Sequence, residues 1–112
     1  MTNKTALVVE DDTFICKYLQ LMLEDKGFYV VPCHTIEQAS SAIESIKFDL
    51  AVVDGLLPDG NGVSFADSLT CKVIICSGIS DEFNRKAMWN AGTVFQKPVD
   101  ASFNQCIDRL MR

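Results

Sequence analysis

Three consecutive acids, Glu10, Asp11 and Asp12, follow the apolar run at 6–9, and a fourth, Asp54, closes the apolar run at 50–53. Ser77-Gly78 follows the run at 73–76, and Lys97-Pro98 follows the run at 93–96. Carboxylates gathered in one place repel one another, a conflict that a hard divalent cation resolves. Oxygen ligands with retained waters suit Mg²⁺, and no histidine or cysteine stands at these positions to suit zinc. A cation beside a carboxylate, with a hydroxyl and an ammonium nearby, suits phosphoryl transfer onto Asp54. The phosphoryl oxygens would be held by the cation, Lys97 and the Ser77 hydroxyl.

That chemistry needs elements that bring distant residues together. The run at 5–9 predicts a first strand. Ile15, Tyr18, Leu19 and Met22 then recur at i, i+3, i+4 and i+7, predicting a helix that turns one face inward and ends with Gly27 at C′. A second strand is expected at 28–31. Thr35 followed by Gln38 makes a capping-box pattern, opening a helix with Ile36, Ala39, Ile43 and Ile46 inward. Strands at 50–53 and 73–76 flank a short helix around 63–69. A helix around 81–91, a strand around 93–96 and a last helix carrying Phe103, Cys106, Ile107 and Leu110 complete the pattern.

The result is (βα)5, an α/β chain. Strands that are apolar throughout indicate a parallel sheet covered on both faces. In such a sheet, chemistry collects beyond the carboxyl ends of the strands, where every residue of the first paragraph falls. Asp12 is read as the N-cap of the first helix, and His34, just after strand two, as a surface or capping residue away from the acids. Met88 and Trp89 are read as core or cover. Pro58, Gly60 and Gly62 are expected to let the loop after Asp54 fold back over the site.

At 112 residues the chain is expected to form a single domain, 1–112. With 48% hydrophobic and 22% charged residues it has a globular composition. A net charge of -5 disfavours direct nucleic-acid binding. No window reaches the ~18 apolar residues of a membrane span, and MTNKTALVVEDD lacks the apolar core of a signal peptide. Cys16, Cys33, Cys71, Cys76 and Cys106 form no CxxC pair and sit in apolar surroundings, so reduced, buried thiols in a cytoplasmic protein are expected.

Taken in order, VVEDD, VVDGLLPDGNG, ICSG and QKP resemble the receiver domain of bacterial two-component response regulators, along the whole chain. The resemblance implies a flavodoxin-like, doubly wound sheet of strand order 2-1-3-4-5. It makes Asp54 the phosphoacceptor and Asp11 a direct Mg²⁺ ligand, joined by Asp54 and the Leu56 backbone carbonyl, with Glu10 acting through water. Ser77 would follow the phosphoryl group and Lys97 would pair with it, followed by Pro98, often cis in this family. The implied phosphodonor is a sensor histidine kinase or a histidine phosphotransfer protein. The implied output is a downstream effector bound on the face of the fourth helix, fifth strand and fifth helix. Such a domain catalyses its own phosphorylation and dephosphorylation while serving chiefly as a switch.

The sequence also departs from that pattern. The segment between Asp54 and Ser77 is short by about two helical turns, which falls on the third helix. Three positions before Lys97, where receivers usually carry an aromatic residue, stands Val94, and Phe95 comes one step later. Adjacent strand residues face opposite ways, so either the strand shifts or the serine–aromatic coupling is weakened. Leu56 and Ile79, two positions past Asp54 and Ser77, cannot orient an attacking water. The missing aromatic at position 94 and the shortened third helix leave a second reading, a phosphorylation-independent interaction module on a receiver fold. A phosphohydrolase would need an acid at position 56, where the chain has leucine.

Overall fold

The parallel sheet follows from the apolar runs. The computed structural model describes residues 4–77, 93–96 and 101–111. β1 (Lys4–Val9), β2 (Phe28–Cys33), β3 (Leu50–Asp54), β6 (Lys72–Ser77) and β7 (Thr93–Gln96) form one five-stranded sheet in the order β2-β1-β3-β6-β7. Every pairing in it is parallel. The expected strand order is therefore observed. Two short strands interrupt the numbering: β4 (Leu56–Leu57) and β5 (Gly60–Asn61) pair antiparallel as a small hairpin just after Asp54.

Alternate residues of the central strands enter separate cores, as a two-residue period requires. Ala6, Val8, Val52 and Ile74 pack with Cys16, Leu19 and Leu23 of α1 (Thr13–Asp25) and with Phe103 and Ile107 of the C-terminal helix (Ala101–Leu110). Leu7, Val9, Val53 and Ile75 pack on the other side with Ala39 of α2 (Ile36–Ser45) and with Phe65 and Ala66 of α3 (Gly62–Asp67). The sheet is thus covered on both faces, and the polar ends of its strands are left as the place for chemistry.

Several local expectations are corrected. β2 runs two residues past its predicted end. As an edge strand it alternates in burial and tolerates Pro32, whose missing N–H costs nothing at a free edge. On α1 the inward stripe is Cys16, Leu19 and Leu23, flanked by Ile15 and Met22, whereas Tyr18 is exposed. On α2, Ala39 and Ala42 face the core and Ile43 is exposed; the helix stops at Ser45, so Ile46 packs from beyond its end. The Thr35 hydroxyl accepts from the Gln38 N–H as a capping box requires, but the Gln38 side chain reaches one residue further back, to the His34 N–H.

The shortened third helix is real: α3 has only six residues. At the opposite edge from the acids, an open cavity of about 500 Å³ lies between the end of α2 and the segment 68–71 that follows α3. The helix expected around 81–91, with Met88 and Trp89, lies outside the described residues. Cys16, Cys33 and Cys76 are buried as expected, whereas Cys71 is partly exposed, contrary to expectation. Burial pushes the Cys16 thiol up to about 11, with the nearby Glu10 carboxylate and Cys33 adding to the effect. No helix among the described residues is long and apolar enough to cross a membrane.

Candidate functional site

Parallel pairing places the acids together. β1 and β3 are neighbours with Val9 beside Val53, so the next residue on each strand, Glu10 and Asp54, emerges side by side. Asp11 follows directly. Carboxylate oxygens of Glu10, Asp11 and Asp54 all lie within 4.8 Å of one another. Glu10 and Asp54 are only 1% and 6% exposed, while Asp11 opens to solvent. Two buried carboxylates and one exposed carboxylate form an oxygen-only donor set with an open side, which fits a hard divalent cation that keeps some of its waters.

The chain around these acids is fixed by backbone bonds. The Glu10 N–H donates to the Cys33 carbonyl at 2.9 Å, and one Glu10 carboxylate oxygen accepts from the Asp12 N–H at 3.2 Å. Asp12 caps α1 as expected, accepting from the N–H groups of Phe14 and Ile15 at 2.9 and 3.1 Å. The Leu56 N–H donates to one Asp54 carboxylate oxygen at 3.2 Å, which orients that carboxylate from the hairpin side. The Gly55 N–H donates to the Cys76 carbonyl, and the Gly62 N–H donates to the Gly55 carbonyl. The loop after Asp54 therefore folds back as a bonded hairpin rather than a loose turn.

Gly62 explains why that loop needs glycine where α3 begins. A Cβ at this position would stand 1.8 Å from the Asp54 carbonyl oxygen and 2.9 Å from its carbon. Only a residue without a side chain lets α3 start against the phosphoacceptor candidate's own backbone.

His34 corrects the reading that set it apart from the acids. Its Nδ1 lies 2.9 Å from the Glu10 carbonyl oxygen, and because a carbonyl only accepts, Nδ1 is the donor. The cause is the longer β2: Val9 pairs with Cys33, so residue 34 comes level with residue 10.

Ser77 ends β6 one position beyond Cys76, the partner of Asp54, and so its backbone stands beside the acid site. Four pairs from Ile74–Thr93 to Ser77–Gln96 run without a break. Val94 lies in register with Ile75 and Phe95 with Cys76, so these pairs contain no local shift of the kind that could restore the aromatic position. Lys97, Pro98, Gly78 and Ile79 lie outside the described residues. Sequence reasoning missed Asp59, whose carboxylate accepts from the Ile36 and Glu37 N–H groups at 2.9 and 3.0 Å. The position reads as ordinary turn chemistry in PDGNG, and nothing local reveals its partner in α2.

A doubly wound parallel sheet with acids converging at its carboxyl edge defines a class of α/β domains that gather functional side chains beyond their strand ends. Within it, the response regulator receiver domain model matches residues 6–103, and the chain belongs to that family, the receiver domains of two-component systems. The KDP operon transcriptional regulatory protein KdpE of Escherichia coli K12 is 34% identical over 96 residues, covering 82% of this chain and 42% of KdpE. The phosphate regulon transcriptional regulatory protein PhoB of Pseudomonas aeruginosa PAO1 is 32% identical over 69 residues, covering 62% of this chain and 30% of PhoB. The chain thus spans less than half the length of these relatives. A CheY-like response regulator receiver domain protein from Methanospirillum hungatei JF-1 superposes with a TM-score of 0.86 at 28% identity, covering 98% of this chain and 95% of that one. A two-component response regulator from Clostridium difficile shares the fold, with a TM-score of 0.88 at 23% identity over 98% of this chain and 97% of its own.

Proposed function

We propose that this receiver domain takes a phosphoryl group onto Asp54 in a Mg²⁺-dependent reaction and thereby switches a partner-binding surface. The observation that carries this reading is the convergence of Glu10, Asp11 and Asp54 to within 4.8 Å at the carboxyl edge. An Asp54 carboxylate oxygen forms the new bond to phosphorus while the phosphorus–nitrogen bond of a phosphohistidine breaks. The leaving imidazole keeps the electron pair and takes up a proton. The donor is a sensor histidine kinase or a phosphotransfer protein, and small phosphodonors substitute for either.

Asp11, Asp54 and the Leu56 carbonyl are the proposed protein ligands, with Glu10 acting through water. Bound Mg²⁺ would neutralise charge on the carboxylates and the phosphoryl oxygens. The Leu56 N–H keeps the Asp54 carboxylate turned for attack. Ser77, beside Asp54 at the end of β6, and Lys97, next after β7, are assigned to the remaining phosphoryl oxygens.

Three exposed apolar side chains on α1, Phe14, Tyr18 and Leu21, recur at i, i+4 and i+7 starting beside the acids. Phe14, at 87% exposure, favours a docking face for the phosphodonor protein on that side. The effector face is assigned to the segment 81–91 with β7 and the C-terminal helix. The net charge of -5 favours a protein partner over nucleic acid, and the assigned compartment is the cytoplasm.

Leu56 is 53% exposed and apolar at a position flanking the phosphoryl group, so its side chain cannot orient an attacking water. A long-lived acyl phosphate is expected. Leu56→Asn should shorten its half-life severalfold, followed as loss of the phosphoryl mass over time; an equal or longer half-life would count against this role.

Beryllofluoride, a mimic of the transferred group, tests the function itself. With Mg²⁺, fluorine NMR should show bound resonances for the wild type and none for Asp54→Ala. Absence of bound signal in the wild type would favour a phosphorylation-independent interaction module, the reading to which the six-residue α3 also lends weight.

A further inference from the structure

Asp59 sits in the turn of the β4–β5 hairpin, yet its carboxylate serves another element. Oδ1 accepts from the Ile36 N–H at 2.9 Å and Oδ2 from the Glu37 N–H at 3.0 Å, the first two orphan donors of α2. Thr35 covers the next, the Gln38 N–H. A charged acceptor at a helix N-terminus also meets the favourable end of the helix dipole. These two backbone bonds hold the Asp59 carboxyl below the ordinary aspartate value, although the side chain is open to solvent. The contact is close-packed as well: a Cβ on Gly60 would lie 3.0 Å from Ile36 Cδ1.

The two sides of this contact lead to the acid site by separate routes. From the hairpin, the Leu56 N–H reaches the Asp54 carboxylate, and the Gly62 N–H reaches Gly55. From α2, Gln38 holds the His34 N–H and the His34 ring holds the Glu10 carbonyl. The first turn of α2 is therefore a bridge between the strand-one acids and the segment that follows Asp54, and Asp59 is the bridge's fastening on the hairpin side.

We propose that Asp59 is a positioning residue: by clasping the hairpin to the first turn of α2 it holds Leu56, and through it the Asp54 carboxylate, in the geometry that receives the cation and the phosphoryl group. The consequence for phosphoryl acceptance rests on the function proposed above, whereas the clasp itself does not. Thr35→Ala is the matched control, because it removes a cap from the same helix turn without touching the hairpin.

The test compares Asp59→Ala, Asp59→Asn and Thr35→Ala in the full chain. Without metal, amide hydrogen exchange at Leu56 and Gly62 should speed up in Asp59→Ala and stay near the wild-type rate in Thr35→Ala. With Mg²⁺ alone as the probe, Asp59→Ala should lose roughly ten-fold in affinity, Asp59→Asn less because one acceptor oxygen remains, and Thr35→Ala little. If Asp59→Ala and Thr35→Ala alter exchange at Leu56 and Gly62 equally, Asp59 is only a helix cap and the proposal is overturned. Should the wild type take no beryllofluoride, the function falls while the exchange comparison still decides the clasp.

Discussion

Gly62→Ala is expected to destabilise the protein by about 3 kcal/mol or more and to abolish beryllofluoride binding in whatever folded protein remains. The added carbon would overlap the Asp54 carbonyl oxygen at 1.8 Å and crowd the Asp54 carbon and Val53 Cγ1, at 2.9 and 3.2 Å. None of these neighbours can step aside cheaply. Two of them are backbone of β3, which is held between β1 and β6, and Val53 is fully buried. Relief must come from α3 moving away, which breaks the Gly62 N–H bond to the Gly55 carbonyl, or from Asp54 moving, which spoils the site.

Gly27→Ala supplies the comparison. Gly27 has φ +95 with nothing within 4 Å of an added Cβ, so alanine there meets backbone strain alone, about 1–2 kcal/mol. Denaturant unfolding of both variants checks the argument. A Gly62→Ala protein no less stable than Gly27→Ala would show that α3 does not press on Asp54 as described.

Asp11→Asn should raise the stability of the metal-free protein while removing most of its response to Mg²⁺. Carboxylate oxygens of Glu10, Asp11 and Asp54 come within 4.8 Å of one another, and folding forces the approach of Asp54 to the neighbouring pair, which the unfolded chain does not impose. Neutralising the exposed member relieves repulsion without leaving a buried group unsatisfied. A gain on the order of a few degrees in Tm is expected without metal. Wild type should gain Tm with added Mg²⁺, because a ligand that binds only the folded state stabilises it, and Asp11→Asn should gain far less. Thermal unfolding with and without Mg²⁺ reads both effects. An Asp11→Asn protein that responds to Mg²⁺ as wild type does would remove Asp11 from the ligand set.

Much of this organisation was legible from local patterns. Apolar runs at 6–9, 50–53 and 73–76 became the sheet centre, and because parallel strands end at one edge, the acids that follow two of them had to meet there. Asp12 was readable as a cap because its partners, Phe14 and Ile15, lie within one turn. What escaped depended on distances along the chain that no local pattern encodes. The Asp59 contact spans 22 and 23 residues, and the His34 contact with Glu10 spans 24. His34 was misplaced because an edge strand alternates in burial, so the apolar run understated the length of β2. Tyr18 and Ile43 were misassigned for a related reason: periodicity gives an apolar stripe, but its centre depends on what the helix packs against. Asp54 was legible in its position, because the apolar run at 50–53 sets the next residue at the carboxyl end of β3, beside Glu10 and Asp11.

Covalent modification tests Asp54 as the acceptor most directly. Wild type and Asp54→Ala are each mixed with a small acyl phosphodonor and Mg²⁺, and intact mass is followed by reductive trapping and peptide mapping. The prediction is one phosphoryl group per chain, mapped to Asp54, absent from Asp54→Ala and suppressed by EDTA. Equal modification of both proteins, or an unmodified wild type under conditions where its Mg²⁺ site is filled, would contradict it.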